Sequence, residues 1–248
     1  ECACHNRCMP QLYSWGARAL FIGPALGLSP HRNAVAVVAV GLDAPFAVSW
    51  NTHDYRRCRS ALIPPNTVQH FRETCGEMAF LYVDAASNDY AHLRTLPTTN
   101  GERSHLDLQC EALLIDRLNR LRTEGASRWR TIRTELETLL NGGTGRTADV
   151  RIVDSLQLIH QDPASRLSLA ALARHAKLSP SRFAALFKQA TGVPVRRYKL
   201  WVAMGAAVRS MQRGANLTKA SMDAGFSSPA HFSSAYRQMF GMEPSRLL

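Results

Sequence analysis

The sequence lacks the features of a membrane-spanning protein, and its cysteines do not suggest a disulfide-stabilised one. The longest apolar run covers residues 35–42, far fewer than the roughly 20 residues that a membrane-spanning helix requires. Three of the six cysteines crowd the N-terminus and the other three are scattered, so they form no evident disulfide framework. The chain begins at Glu1 without the basic and then apolar layout of a signal peptide. We therefore expect a reduced chain in the cytoplasm.

Motifs of common enzyme active sites are missing as well. The sequence contains no paired-carboxylate motif, no sharp turn built around a nucleophilic serine and no glycine-rich phosphate-binding loop. These absences favour a protein that is not an enzyme and that uses no cofactor. The alternative is an enzyme whose N-terminal half binds a catalytic metal, and detection of such a metal would support it.

Acidic residues are scarce in the last two-fifths of the chain. Residues 1–150 contain 16 arginines and no lysine against 15 acidic residues, a net charge of +1. Residues 151–248 contain 14 basic residues against 4 acidic ones, a net charge of +10. Positive charge concentrated in this way is typical of a domain that contacts a phosphate backbone, although a merely solvated basic surface has the same composition.

The hydrophobic pattern divides the chain near residue 145. Short strands separated by Pro, Gly, Asn and Asp are predicted at residues 35–40, 46–50, 61–63 and 78–83. Their spacing is typical of a small antiparallel barrel or sandwich. Helical periodicity follows at residues 105–122 and 129–140, and the glycine-rich segment 141–145 is predicted to be a linker. From Val150 onward the pattern is one of short, capped helices.

A short pattern occurs twice in the basic part, at residues 179–192 and again 49 residues later at 228–241. Each copy begins with Ser-Pro, in which the serine can cap a helix and the proline occupies the first helical position. Each copy ends with a glycine, which is common just after a helix. A shorter amphipathic helix precedes each copy, so the sequence predicts two helix-turn-helix units.

The helix predicted between the two units, at residues 195–212, would span about 27 Å for its 18 residues. With its flanking turns it approaches the ~34 Å that separates successive major grooves on one face of DNA. The sequence therefore predicts that one chain inserts two recognition helices, at residues 179–191 and 228–240, into adjacent major grooves.

Several segments of residues 151–248 occur in the order and spacing of a known family. They are Leu167-Ser168-Leu169 with Leu172-Ala173, Ser179-Pro180 with Phe183, Phe187, Lys188 and Gly192, Pro194 with Tyr198, Ala224-Gly225-Phe226, His231-Phe232, and Phe240-Gly241 with Pro244-Ser245. With these segments the C-terminal part resembles the DNA-binding domain of the AraC/XylS family of transcriptional regulators. It departs from the family at Ala203 and Met204, where an Arg-Leu pair is common, and the adjacent Gly205 lowers helix propensity.

This resemblance implies a sequence-specific DNA-binding regulator of transcription, more often an activator, which contacts RNA polymerase at the bacterial nucleoid. The implied fold class is α+β. Residues 1–145 would form a cupin-like antiparallel β-barrel with helices, which binds an effector or mediates dimerisation. Residues 146–248 would form an all-α domain with two helix-turn-helix units joined by a long helix.

The outward faces of the two recognition helices supply the candidate DNA contacts. Contacts to bases are expected from Ser181, Arg182, Ala185, Ala230, His231 and Ser234. Among these, Arg182 is the strongest candidate, because a guanidinium can donate two hydrogen bonds to guanine. Contacts to phosphates are expected from Lys188, Arg196, Arg197, Ser228 and Arg237. An ordinary solvated side chain is the alternative at each of these positions.

A protein that binds DNA without sequence preference is the nearest alternative function, because small residues occupy much of the first recognition helix. Competition with random DNA separates the two possibilities, since sequence-specific proteins favour their site by about 10³ or more.

Two groups of residues in the N-terminal part have metal-binding side chains. The histidines of the strand-rich region are His31, His53 and His70, which lack a chelating spacing and are expected to be structural. The N-terminal group is Cys2, Cys4, His5 and Cys8, which could bind a soft metal or sense oxidation. Because the usual Cys-x-x-Cys spacing is missing, we predict no metal site.

A stripe of leucines runs through residues 106–121 at helical spacing. Such a stripe either belongs to the core or forms a dimer seam, and a dense one often serves both purposes. We expect it to mediate a homodimer.

Overall fold

The chain has a β-rich N-terminal part and an all-helical C-terminal part. The computed structural model describes residues 10–24, 27–72, 76–96, 105–141, 148–165 and 167–246. The predicted α+β class is confirmed, with antiparallel sheets and helices followed by the helix-turn-helix units. Within the described segments, no helix is long and apolar enough to cross a membrane.

Nine strands are described in two antiparallel sheets. They are β1 (Gln11–Trp15), β2 (Arg18–Pro24), β3 (Leu28–Arg32), β4 (Ala36–Gly41), β5 (Phe46–Ser49), β6 (Arg56–Cys58), β7 (Ser60–Ile63), β8 (Val68–Phe71) and β9 (Glu77–Val83). The first sheet has the order β1-β2-β9-β4-β7 and the second the order β3-β8-β5-β6.

The central strands of the first sheet are buried on both faces. In β9, Phe80 faces the second sheet, where its ring centroid lies 5.4 Å from that of Phe71. The neighbouring Leu81 faces the opposite side and packs against helices. This alternation follows from the two-residue period of a strand, and burial on both faces explains why β4 and β9 are almost wholly apolar.

The four strands predicted from the sequence correspond to β4, β5, β7 and β9, with ends shifted by one residue at most. The other five strands were not predicted. Three of them, β3, β6 and β8, are short and contain exposed or half-buried polar residues. Their pairing with distant strands stabilises them, and local sequence does not record such pairing.

The described residues of the N-terminal part also form three α-helices, namely α1 (Asn88–Leu93), α2 (Glu111–Glu124) and α3 (Trp129–Leu140). The prediction for α3 is confirmed, but the helix predicted from residue 105 begins only at Glu111. The preceding residues extend the sheet through a bridge between Leu106 and Ala61. His105 and Asp107 there have positive φ angles of 42° and 52°, which no right-handed helix accommodates.

The leucine stripe lies in the core of the chain. Leu114, Leu118 and Leu121 of α2 are buried between the outer face of the first sheet and α3. Leu113 is the one large apolar side chain of this helix that is exposed, with 48% of its surface accessible. The stripe is therefore explained by packing within one chain.

Six α-helices are described in the C-terminal part. They are α4 (Val150–Gln161), α5 (Leu169–His175), α6 (Pro180–Thr191), α7 (Val195–Gln212), α8 (Leu217–Asp223) and α9 (Pro229–Phe240). The core of these helices is continuous with the space between the two sheets, where the Tyr82 ring lies 5.3 Å from Trp201 and 5.7 Å from Phe240. Of the predicted linker, residues 142–145 lie outside the described residues.

Candidate DNA-binding surface and adjoining cavity

The first helix-turn-helix unit consists of α5 and α6. The hydroxyl of Ser179 accepts a hydrogen bond from the Arg182 amide (3.3 Å), which caps α6 and typically stabilises a helix by about 1 kcal/mol. Phe183 and Phe187 lie one turn apart and are fully buried, and each stabilises the unit by roughly 1.5–3 kcal/mol. Gly192 then ends the helix with φ 77°, as the sequence predicted.

The second unit, α8 and α9, repeats this construction. Ser228 accepts from the His231 amide (3.1 Å), Phe232 and Tyr236 are buried one turn apart, and Gly241 ends α9 with φ 71°. The preceding helix begins at Leu217, because Asn216 provides its cap by accepting from the Lys219 amide.

Both turns have the same backbone conformation. In the first turn Lys177 has φ 54° and the Leu178 amide donates to the carbonyl of Ala173, five residues earlier. In the second turn Gly225 has φ 88° and the Phe226 amide donates to Ser221 (3.1 Å). This six-residue loop is a Schellman motif, which directs the chain from each short helix into its recognition helix.

All six side chains expected to face bases are exposed. They are Ser181, Arg182 and Ala185 on α6, and Ala230, His231 and Ser234 on α9. The ring of His231 is held by Ser227, whose hydroxyl lies 3.0 Å from Nδ1, and packs on the edge of Phe226. Exposed donors on two similarly built helices can reach the edges of bases in a major groove.

The five candidates for phosphate contact differ in their surroundings. Lys188, Arg196 and Arg237 are exposed, and Arg237 forms an ion pair of 2.5 Å with Glu243. Ser228 is half-buried because its hydroxyl caps α9. Arg197 is half-buried and donates to the carbonyl of Arg32 in the N-terminal part. Burial lowers the pKa of Arg197, and the nearby Arg32 lowers it further.

A cavity of about 540 Å³, which sequence reasoning did not find, lies between the first sheet and the helices α4, α7 and α9. Its apolar wall includes Leu12, Phe21, Tyr82, Leu156, Trp201 and Met204. Gly205 of α7 also lines it. Met204, at which the sequence departs from the family pattern, also lines this space, so that departure was a signal of it in the sequence.

Beside this cavity, a hydrogen-bonded network of polar side chains joins the N-terminal part to the C-terminal part. The hydroxyl of Tyr198 in α7 donates to the carboxylate of Asp84, which follows β9. Because that hydroxyl has one proton, Nε2 of His160 must donate to the Tyr198 oxygen over 2.9 Å. Burial lowers the pKa of His160, with Asp84 opposing the effect and Arg209 adding to it.

The cavity also contains an uncompensated positive charge. Arg209 of α7 is half-buried, and among the described residues it has neither a hydrogen bond nor an ion pair. Burial lowers the pKa of its guanidinium, and repulsion from Arg213 adds to this. Arg18, at the other side of the cavity, is neutralised by Asp89 at 2.5 Å. A half-buried cation without a partner favours an anionic ligand.

The histidines of the sheets have protein partners. His31 donates from Nδ1 to the Ser29 carbonyl (2.8 Å) and accepts at Nε2 from Gln69 (2.9 Å). His70 is hydrogen-bonded to Tyr55. In the part of the chain that the structure describes, no three His, Cys, Asp or Glu side chains are grouped as metal ligands. Cys2, Cys4, His5 and Cys8 lie outside that part.

Comparison with known sequences identifies the C-terminal part. Residues 172–248 match a family model described as a helix-turn-helix domain. Over 89 residues the chain is 35% identical to the probable transcriptional regulator LumQ of Photobacterium leiognathi. That match covers 36% of each chain, so it spans about a third of the length of this relative.

Comparison with solved structures extends over most of the chain. A ligand-free variant of ToxT from Vibrio cholerae has a TM-score of 0.58 at 11% identity, covering 93% of this chain and 96% of that chain. ToxT bound to an unsaturated fatty acid has a TM-score of 0.55 at 12% identity, covering 92% of each chain. At such low identity the similarity shows a common fold. Together with the geometry of the two units, these findings show that the chain contains a helix-turn-helix domain over residues 172–248.

Proposed function

We propose that the chain is a sequence-specific DNA-binding regulator of transcription. Residues 146–248 would form its DNA-binding domain, and residues 1–145 would bind an effector and mediate dimerisation. The observation that supports this most is the pair of recognition helices with the same cap, turn and buried aromatic pair, each exposing polar side chains. The chain would be located at the bacterial nucleoid and would insert its two recognition helices into adjacent major grooves.

Gel-shift binding of the native chain to its own upstream region tests this function. We expect the shifted complex to survive about a hundredfold excess of random DNA, because sequence-specific proteins favour their sites by about 10³ or more. Loss of the complex under this competition would contradict sequence-specific binding and favour the architectural alternative.

We propose further that the chain activates transcription through contact with RNA polymerase, in keeping with the family resemblance. Transcription in vitro from the bound promoter shows directly whether the chain activates or represses. More transcript in the presence of the chain than in its absence is expected, and less transcript would indicate a repressor.

We propose that the cavity between the sheet and the helices is the effector site, and that the effector is an apolar molecule with a carboxylate. The apolar wall suits a hydrocarbon body, and the unpartnered Arg209 suits an anionic head group. The binding of an unsaturated fatty acid by ToxT, which has a similar fold, supports the same ligand class. Because the cavity lies between the two parts, an occupant would contact both.

Arg209→Gln is expected to weaken binding of oleic acid about tenfold, as measured by calorimetry, because a charge-assisted hydrogen bond is lost. Arg213→Gln removes an equal charge from the exposed end of the same helix and should leave the affinity unchanged. Methyl oleate lacks the negative charge and should bind the native chain as weakly as oleic acid binds the Arg209 variant. Equal affinity of the native chain for the acid and the ester would contradict the assignment.

We propose that the chain forms a homodimer through the exposed face of α2, where Leu113 is the large apolar side chain accessible to a partner. Leu113→Glu should convert the dimer into a monomer, because a carboxylate in an apolar contact has no partner. Thr123→Glu adds the same charge at an exposed position of α2 and serves as the control. Light scattering measures the mass of each variant, and a monomeric native chain would contradict this proposal.

A further inference from the structure

We infer that a strip of the N-terminal part holds both recognition helices at their C-terminal ends and thereby sets the spacing at which they meet DNA. The docking strip consists of residues 29–33 and residues 65–66. This inference rests on the proposed function and adds a role for the sheets that is independent of the effector.

The end of the second recognition helix lies against the first segment of the strip. The Ser29 amide donates to the carbonyl of Gly241 over 2.9 Å. A Cβ at Gly241 would lie 2.4 Å from the Ser29 carbonyl oxygen and 2.6 Å from Nδ1 of His31. Real Cβ atoms do not approach so closely, so glycine is needed at this position for the contact as well as for its φ of 71°.

The end of the first recognition helix lies against the second segment. A Cβ at Gly192 would lie 2.5 Å from Cγ of Pro65. The two glycines occupy corresponding positions in the internal repeat, and each ends its helix in the left-handed conformation. Both repeat units therefore contact the N-terminal part through the same position of the repeat, although they contact different segments of the strip.

The two segments of the strip are joined to each other and to the bridging helix. The Asn66 amide donates to the Asn33 carbonyl over 2.8 Å, which links the segments directly. Arg197, in the first turn of α7, donates to the carbonyl of Arg32. The strip thus forms a second connection between the two units, in addition to α7.

A second connection matters because α7 has Gly205 in its middle, and glycine weakens a helix interior by about 1 kcal/mol relative to alanine. The strip covers the C-terminal ends of the recognition helices and leaves Arg182 and His231, near their N-terminal ends, exposed. It therefore fixes the relative position of the two helices without blocking their base-facing side chains. A rigid pair of binding elements binds two half-sites strongly only when their spacing matches.

The test compares spacing preference in native and undocked chains. Half-sites are first selected from a pool of random duplexes with the native chain. Their separation is then lengthened or shortened by one base pair. Gly241→Ala places a methyl group against Ser29, and Pro65→Ala removes the ring atoms that cover Gly192 without altering the helix-turn-helix units. Gly214→Ala is the matched control, because Gly214 has φ 93° but no atom within 4 Å of its added Cβ.

We expect the native chain and Gly214→Ala to bind DNA with altered spacing about tenfold more weakly than DNA with the selected spacing. The undocked variants, Gly241→Ala and Pro65→Ala, should lose no more than about threefold in affinity. Circular dichroism establishes whether each variant is folded. If Gly241→Ala does not fold, Pro65→Ala still provides the test. If both undocked variants retained the native preference, or if the native chain had none, the inference would be wrong. If the native chain selected no sequence at all, the proposed function would fail and this inference with it.

Discussion

Replacement of both Arg182 and His231 by alanine is expected to lower the affinity for the selected DNA about a hundredfold or more. A good base contact contributes about 1–3 kcal/mol of discrimination, and the double variant removes one such contact from each half-site. Both side chains are exposed near the first turn of their recognition helices, and neither forms an ion pair among the described residues. Gel-shift titration at fixed salt concentration measures the change.

The matched control is Arg174→Ala with His175→Ala, which removes the same two side-chain types from the exposed end of α5. This control changes the net charge equally but leaves the recognition helices intact. We expect it to weaken binding to selected and random DNA to the same small extent, since phosphate contacts do not read sequence. Equal losses for the two double variants on both kinds of DNA would show that Arg182 and His231 do not contact bases.

Acidification from pH 7 to pH 5 is expected to reduce the free energy of unfolding by about 2 kcal/mol through His31 alone. Burial lowers the pKa of this histidine from 6.5 to about 4, with the Ser29 carbonyl opposing the effect and His70 adding to it. The unfolded chain therefore binds a proton between pH 6.5 and pH 4 that the folded chain does not. Stability from this group is complete above pH 6.5 and is lost as the pH falls through this interval.

The hydrogen bonds of His31 fit its neutral form, because Nδ1 donates to the Ser29 carbonyl and Nε2 accepts from Gln69. Urea denaturation at pH 7 and pH 5 should show the loss in the native chain and a smaller loss in His31→Gln. His53→Gln replaces an exposed histidine and should retain the native pH dependence. A variant at His31 with an unchanged pH dependence would contradict the assignment.

The C-terminal part was predicted well because its determinants are local. Serine caps, first-turn prolines and terminal glycines act within a few residues of the helix ends that they define, so α6, α7 and α9 lie where the sequence placed them. In the N-terminal part α3 was predicted correctly, and of the strands only β4, β5, β7 and β9 were predicted. β1 and β2 were missed although they pair with each other, because β2 also depends on its pairing with β9, in which Ala19 lies opposite the distant Tyr82.

At the junction of the two parts, the contacts of individual side chains could not be predicted from the sequence. Arg197 was predicted to contact phosphate because it is basic and begins α7, yet its guanidinium donates to Arg32 in the structure. Tyr198 was recognised only as a family residue, whereas the structure joins it to Asp84 and His160. Neither Asp84 nor Arg209 attracted attention in the sequence, since burial and the absence of a partner are properties of packing.

The sequence by itself determined the two helix-turn-helix units, their caps and their outward residues, because each depends on contacts within a single helix or turn. Only the tertiary structure decided that the sheets dock on Gly192 and Gly241 and that a cavity containing Arg209 remains between the parts. Those features join residues separated by more than a hundred positions. Their free energies depend on burial and shape complementarity, which arise only when the whole chain has folded.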